Sequence, residues 1–366
     1  MRSLGIGLVG CGVISDAYLS RAKQFPFINM IACSDINEAA AKEKADTYGL
    51  EAMTVEALLA DDRIDIVLNL TTPQHHVNVN LAALNAGKHA YCEKPLGTSL
   101  AEAEKLLEAT SRTGLRIGCA PDTFLGGAHQ TARRIIDSGA IGDAVAGTGF
   151  MMVPGHERWH PNPDFYYQDG GGPLMDMGPY YITSLINMLG PVSSVCGTAK
   201  ITRPTRTIGS GPREGETIAV DVATHISAIL SFVNGASITL VTSFDVHKHD
   251  HNPIEIYGSK GSMIVADPNN FDGDILVSTG SGDWSKAEQT HLYGDGNYRV
   301  IGLADMAEAI VKDHSHRASL ELSLHVLEIM ESILISADTG QSITLKHQCK
   351  QALPLQSTLP AGQLYN

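Results

Sequence analysis

The sequence predicts an α/β chain of two domains. Residues 1–122 read as an N-terminal parallel-sheet domain, and residues 123–366 as a C-terminal α+β domain with a large, mostly antiparallel open sheet. Three observations predict this. At 366 residues the chain exceeds one typical domain. Its first third alternates short apolar runs with helical patterns, which implies a parallel sheet covered by helices on both faces. Beyond about residue 122 the pattern changes to long alternating stretches.

The apolar runs of the first domain are Leu4–Val9, Ile28–Cys33, Ile64–Leu70, His89–Cys92 and Arg116–Cys119. Helical periodicity fills Ala17–Phe25, Glu38–Tyr48, Val77–Ala86 and Ser99–Thr113, and Gly87 closes the third of these as a C-terminal glycine should. Ala128–Asp137 reads as a helix that joins the domains. Strand patterns then occupy Ala144–Val153, Ile218–Phe232, Ser237–Phe244 and Ile254–Tyr257, with a strong turn at Gly258-Ser259-Lys260-Gly261. Helices are expected near Tyr298–Lys312 and Leu320–Asp338. One face of the second sheet then needs a cover, most simply a second subunit, so a homodimer or homotetramer is expected.

Composition narrows the class. Hydrophobic residues make up 43% of the chain, enough for a substantial core, and the net charge of −14 argues against a nucleic-acid partner. No apolar run approaches the roughly 18 residues of a membrane span. The first residues run directly into a glycine motif without a signal-peptide pattern, so the expected location is cytoplasmic. The six cysteines, Cys11, Cys33, Cys92, Cys119, Cys196 and Cys349, show no CxxC spacing and read as reduced thiols.

Gly10-Cys11-Gly12-Val13-Ile14-Ser15 lies between the first strand and the first helix. This is G-x-G-x-x-S, one residue from the dinucleotide fingerprint of a Rossmann domain. Gly10 permits the tight turn, Gly12 lets backbone approach a pyrophosphate at a helix N-terminus, and the small Ser15 permits close packing. Asp35 follows Ser15 by 20 residues, at the end of the second strand. An acid there accepts hydrogen bonds from a ribose 2′-hydroxyl and repels a 2′-phosphate. No Lys or Arg lies within residues 34–37, so NAD is expected over NADP. Val13 and Ile14 belong to the same cofactor loop.

Glu93-Lys94-Pro95 follows the strand His89–Cys92, at the carboxyl end where open α/β sheets bind ligands. A lysine there can exchange a proton with an alcohol or carbonyl, although a solvated loop lysine fits position alone equally well.

These motifs resemble the glucose–fructose oxidoreductase / inositol dehydrogenase / rhizopine-catabolism (Gfo/Idh/MocA) family almost end to end. The resemblance is carried by Gly10-x-Gly12, Thr72-Pro73, Ala86-Gly87-Lys88-His89, Glu93-Lys94-Pro95 and the block Gly170-Gly171-Gly172-Pro173-Leu174-Met175-Asp176-Met177-Gly178-Pro179-Tyr180-Tyr181. It implies that Lys94 is the catalytic lysine, that the Lys94–Pro95 peptide is cis, and that Thr71, Thr72, Pro73, His76, Glu93 and Lys94 line the cofactor. Read from the residues alone, His75 and His76 equally fit helix-start positions bonded to backbone. Asp176 and Tyr180 stand four apart on one helical face. The family usually carries Asp-x-Gly-x-His there, so Tyr180 is a departure. Some sugar-oxidising branches share it, which leaves Tyr180 as a proton-exchanging group or as a buried aromatic. Arg158, Trp159 and His160, in the loop before the glycines, are expected with Lys94, Asp176 and Tyr180 to contact substrate.

The implied activity is NAD-dependent hydride transfer at a secondary alcohol or ketone carbon of a sugar, cyclitol or derivative. Two rivals keep the cofactor: a glycosidase acting through transient oxidation, and a non-enzymic NAD-binding regulator. His247, His249 and His251 alternate in a charged segment. They are read as a polar loop rather than a metal site, since alcohol oxidation with NAD needs no metal.

Overall fold

The computed structural model of the chain describes residues 2–280 and 282–366. Its first sheet contains strands β1 (Leu4–Val9), β2 (Ile28–Ser34), β3 (Glu51–Ala52), β4 (Ile66–Asn69), β5 (His89–Cys92) and β6 (Ile117–Cys119). All pair in parallel, in the order β3-β2-β1-β4-β5-β6. The order reverses between β1 and β4, which opens a crevice at their carboxyl ends. β1 is buried at every position, as a strand covered on both faces must be.

The crossovers are α1 (Ser15–Ala22), α2 (Glu38–Tyr48), α3 (Val55–Ala60), α4 (Pro73–Asn85) and α5 (Leu100–Thr113). Their ends follow local chemistry. Asn37, Thr54 and Ser99 accept backbone N–H groups as N-caps of α2, α3 and α5, and Gly49 and Gly114 end α2 and α5 in the left-handed conformation. The sequence reading lacked β3 and α3. At two and six residues, they are too short to establish a period.

The expected single division at residue 122/123 is corrected. The chain forms two compact units, one of residues 1–130, 290–324 and 352–366, the other of residues 131–289 and 325–351. Polar bonds explain the return of the later segments to the first unit. Asp122 accepts the Gly302 N–H at 2.9 Å. Gly118 bridges to Ser319. Glu308, in the helix Ile301–Val311, accepts the Leu364 and Tyr365 N–H groups at 2.7 and 3.2 Å. No local pattern announces such long-range pairings.

In chain order there follow α6 (Gly127–Asp137), β7 (Ala144–Met152), α7 (Gly172–Leu189), β8 (Val192–Lys200), β9 (Thr205–Thr207), β10 (Thr217–Ala219), β11 (His225–Phe232) and β12 (Ser237–Ser243). Then come β13 (Ile254–Gly258), β14 (Gly261–Val265), β15 (Leu276–Thr279), β16 (Ser285–Lys286) and β17 (Ile343–Thr344). Nine strands form one sheet, β16-β15-β14-β13-β7-β12-β11-β8-β17. Only the β7–β12 pair is parallel. The expected strand Ile218–Phe232 is divided: β10 leaves the sheet to pair with β9, and only His225–Phe232 runs within it. β8, rich in Ser, Gly and Ala, carries too little apolar contrast to be seen in sequence.

α7 packs on one face of this sheet, with Gly149 of β7 lying against Tyr181 and Leu185. On the opposite face the register aligns Ile229 with Thr239, Thr239 with Thr148, and Ala146 with Tyr257. Ile229 is 49% exposed and Tyr257 37%. Among the described residues, no helix is long and apolar enough to cross a membrane.

Candidate active site

The glycine loop is built by backbone constraints. Gly10 has φ +100°, and a Cβ there would stand 2.6 Å from the Leu70 carbonyl oxygen. Only glycine fits. Gly12 differs: a Cβ there meets nothing within 4 Å, so its bareness serves space beside the chain rather than packing within it. Ser15 is buried and its hydroxyl donates to the Gly12 carbonyl at 2.6 Å. Val13 is 93% exposed at the head of α1. Ile14 is the N-cap residue of α1.

Asp35 closes the loop from the far side. Its Oδ2 accepts the Cys11 N–H at 2.7 Å and its Oδ1 the Asn37 N–H at 2.8 Å. Beyond it opens a cleft of about 640 Å³. Gly10, Gly12 and Asp35 form its polar wall, while Ile36, Val55, Leu59, Val79 and Ala82 supply an apolar one. Thr71, Thr72 and His75 also line it, and among the described residues no Lys or Arg does. An apolar slot beside a carboxylate and a bare glycine turn fits an adenosine, its ribose and the adjoining phosphates.

In the segment after β4, His76 departs from expectation. Thr72 precedes α4 and Pro73 opens it. Thr71 donates its hydroxyl to Asn69 at 2.6 Å. His76, however, is fully buried, with Nδ1 2.6 Å from the Pro95 carbonyl and Nε2 2.9 Å from that of Thr71. Burial pushes its pKa below the usual value. As a correction, His76 does not line the cleft. It ties the Pro95 loop to the Thr71 loop, and the exposed His75 takes the lining position because α4 turns its next face inward.

Glu93 is buried and accepts the Tyr18 hydroxyl at 2.8 Å through Oε1 and the Lys94 N–H at 2.9 Å through Oε2. It therefore anchors the backbone of Lys94. The Lys94–Pro95 peptide is cis. Tyr18 is a residue that sequence reasoning missed, since its partner lies 75 positions away.

The second unit presents α7. Asp176 lies in its second turn and Tyr180, 8% exposed, one turn further. His156, not singled out in the sequence, has Nε2 3.2 Å from Asp176 Oδ2. Its ring sits among Trp159, Tyr166 and Phe244, with centroids 5.4, 4.5 and 4.6 Å away. Trp159 is 59% exposed. His160 packs edge-on against Trp159 and Phe165, and Arg158 is exposed. Partly exposed polar groups among ring faces suit a hydroxylated ring, whose C–H faces are apolar and whose edges are polar.

The histidine segment lies elsewhere in this unit. His249 bonds the Met152 carbonyl at 3.1 Å, and His251 stacks on Phe150 at 4.3 Å. Among the described residues, no three His, Cys, Asp or Glu side chains are grouped to hold a metal.

A parallel sheet in this order, with a glycine turn and an acid after β2, defines a dinucleotide-binding oxidoreductase fold. The chain belongs to the Gfo/Idh/MocA family: residues 4–120 match its oxidoreductase domain with an NAD-binding Rossmann fold, and residues 129–264 its C-terminal domain. Levoglucosan dehydrogenase of Pseudarthrobacter phenanthrenivorans is 27% identical over 350 residues, covering 86% of this chain and 88% of that one. Inositol 2-dehydrogenase of Salmonella paratyphi B is 33% identical over 150 residues, 39% of this chain and 44% of that one. A solved levoglucosan dehydrogenase, in complex with NADH and L-sorbose, shares the fold with a TM-score of 0.81 at 23% identity, covering 94% of this chain and 99% of that one.

Proposed function

We propose that this oxidoreductase transfers a hydride between NAD and a secondary alcohol or ketone carbon of a sugar, cyclitol or sugar derivative. The observation that carries the substrate class is the partly exposed Asp176 carboxylate paired with His156, whose ring packs against Trp159 and Tyr166. Relatives named for levoglucosan and inositol support it. The first unit is the cofactor domain, and the second carries the substrate and subunit surfaces.

Gly10, Gly12 and the head of α1 hold the pyrophosphate, Asp35 the adenosine ribose, and Thr71, Thr72, Pro73, Glu93 and Lys94 the remaining length of the cofactor. When bound, the nicotinamide supplies the hydride acceptor or donor. Lys94 and Tyr180 bond the reacting oxygen as its proton leaves, and Asp176 orients a donor or a substrate hydroxyl. Arg158, Trp159 and His160 shape the pocket. A panel of sugars, inositols and sugar acids, screened with NAD and NADP by absorbance of the reduced nicotinamide, tests this. Absence of turnover across the panel sinks the reading.

The assembly is a homodimer or homotetramer joined through the uncovered sheet face that carries Ile229 and Tyr257. A light-scattering mass of a monomer at micromolar concentration counts against it. The protein works in the cytoplasm, where its six cysteines, none in a disulfide, stay reduced. Cell fractionation checks that placement.

A further inference from the structure

α7 carries a tyrosine where the resemblance expects a histidine, four residues after Asp176. A histidine nevertheless reaches Asp176 from the preceding loop. His156 lies 20 positions before it, and its Nε2 is 3.2 Å from Asp176 Oδ2. A carboxylate only accepts, so Nε2 carries the hydrogen and the neutral ring keeps its lone pair on Nδ1. Nδ1 has no partner among the described residues.

The ring is firmly placed. Tyr166 and Trp159 meet it edge-on at 61° and 70°, and Phe244 is tilted against it at 57°. The neighbouring Glu157 is an anchor, 5% exposed, whose carboxylate accepts the Tyr167 hydroxyl and a bond from the buried Arg206. Arg206 is held in turn by Asp245. Gly155 has φ +100°, and a Cβ there would collide with the Glu157 carboxylate. The loop thus delivers His156 on a rigid support, and its side chain stays 15% exposed. Among the described residues, the charged or titratable groups near the ring include Asp176, the Tyr166 phenol and His160, with Glu157, Arg206 and Asp245 behind it.

This is the constellation of an oriented base: a carboxylate fixes the tautomer of an imidazole and stabilises the cation formed on proton uptake. We propose that His156 is a further catalytic residue, the acceptor of the alcohol proton. The inference rests on the alcohol–ketone reading above. In the oxidative direction the O–H bond breaks and its proton bonds to His156 Nδ1. The C–H bond breaks with its electron pair, the hydride passes to NAD⁺, and the C=O bond forms. The imidazolium then returns its proton to water.

Two measurements decide it. Imidazole ¹⁵N shifts of the ligand-free protein should show hydrogen on Nε2 and a bare Nδ1 in the neutral ring, a bias that Asp176→Ala removes. The opposite tautomer in the parent overturns the proposal without any activity measurement. In steady-state oxidation with NAD, His156→Gln retains a donor for Asp176 but no base. It should lower kcat by about 10²–10⁴-fold, abolish the rise of kcat with pH, and leave NAD affinity within a few-fold. An active parent whose kcat survives His156→Gln overturns this proposal alone, whereas a parent inactive on every panel member overturns the broader reading with it. A lowered kcat with the pH rise intact reduces His156 to a positioning residue and refutes the catalytic role.

Discussion

The Asp35 carboxylate accepts the backbone N–H of Cys11 at 2.7 Å. The acid that lines the cleft therefore also holds the glycine turn in place. With Ile36 beside it and no Lys or Arg in the lining among the described residues, the site favours a free ribose 2′-hydroxyl over a 2′-phosphate. Fluorescence titration should show NADH binding tighter than NADPH. Asp35→Ser with Ile36→Arg should narrow that gap, and tighter NADPH binding by the parent would refute the assignment. Asp35→Ala removes both functions and should cost stability as well, on the scale of about 1–3 kcal/mol for a stranded donor.

Gly10 and Gly12 should separate by experiment. Gly10→Ala forces a side chain onto φ +100° and against Leu70, so the melting temperature should fall even without cofactor. Gly12→Ala meets no atom of the chain and should leave the apo melting temperature nearly unchanged, yet weaken NAD binding at least about tenfold through collision with the pyrophosphate. Equal loss of apo stability in both variants would contradict the division.

The glycine turn and Asp35 were legible in the sequence because their geometry is local: a strand, a turn, a helix and a second strand end at fixed spacing. The two-domain plan was legible for the same reason, since periodicity is a short-range signal. His156 was not. Its partner lies 20 residues away across a loop without period, and only the fold shows which of His156 and His160 meets Asp176. His75 and His76 illustrate a finer limit. Adjacent helix residues point about 100° apart, so a shift of one position exchanges the cleft-lining ring for the buried one. The return of residues 290–324 and 352–366 to the first unit depends on bonds such as Asp122 to Gly302 that no window of sequence contains.

Asp122 provides a pH test. Burial, reinforced by the Glu93 carboxylate, raises its pKa from the ordinary range to about 7, against the opposing Gly302 N–H and Arg299. The folded state holds this proton up to about pH 7, while the unfolded chain loses it near 4. Between these values the folded form binds more protons, so this group's contribution to stability falls as pH rises and levels off above the folded pKa. At about 1.4 kcal/mol per unit the swing is up to ~4 kcal/mol. Asp122→Asn keeps an acceptor for Gly302 and removes the ionisation. Denaturant unfolding should find the variant gaining on the parent from pH 5 to pH 8, and a pH-independent difference would exclude the effect.

Lys94 should be needed for chemistry more than for cofactor binding. Its backbone position is set by Glu93 and Tyr18, and the pyrophosphate is assigned to the loop of Gly10 and Gly12. Lys94→Ala should therefore keep NAD affinity within a few-fold and lower kcat by about 10²–10⁴-fold. Tyr180→Phe retains the buried ring and removes only the hydroxyl. If that hydroxyl bonds the reacting oxygen, its loss should resemble that of Lys94, and the double variant should fall far short of the product of the two effects, because groups acting on one oxygen form a unit. An unchanged kcat in Tyr180→Phe would make Tyr180 a core aromatic. The proton would then pass without it, and the Asp176–His156 pair would remain as the polar centre of α7.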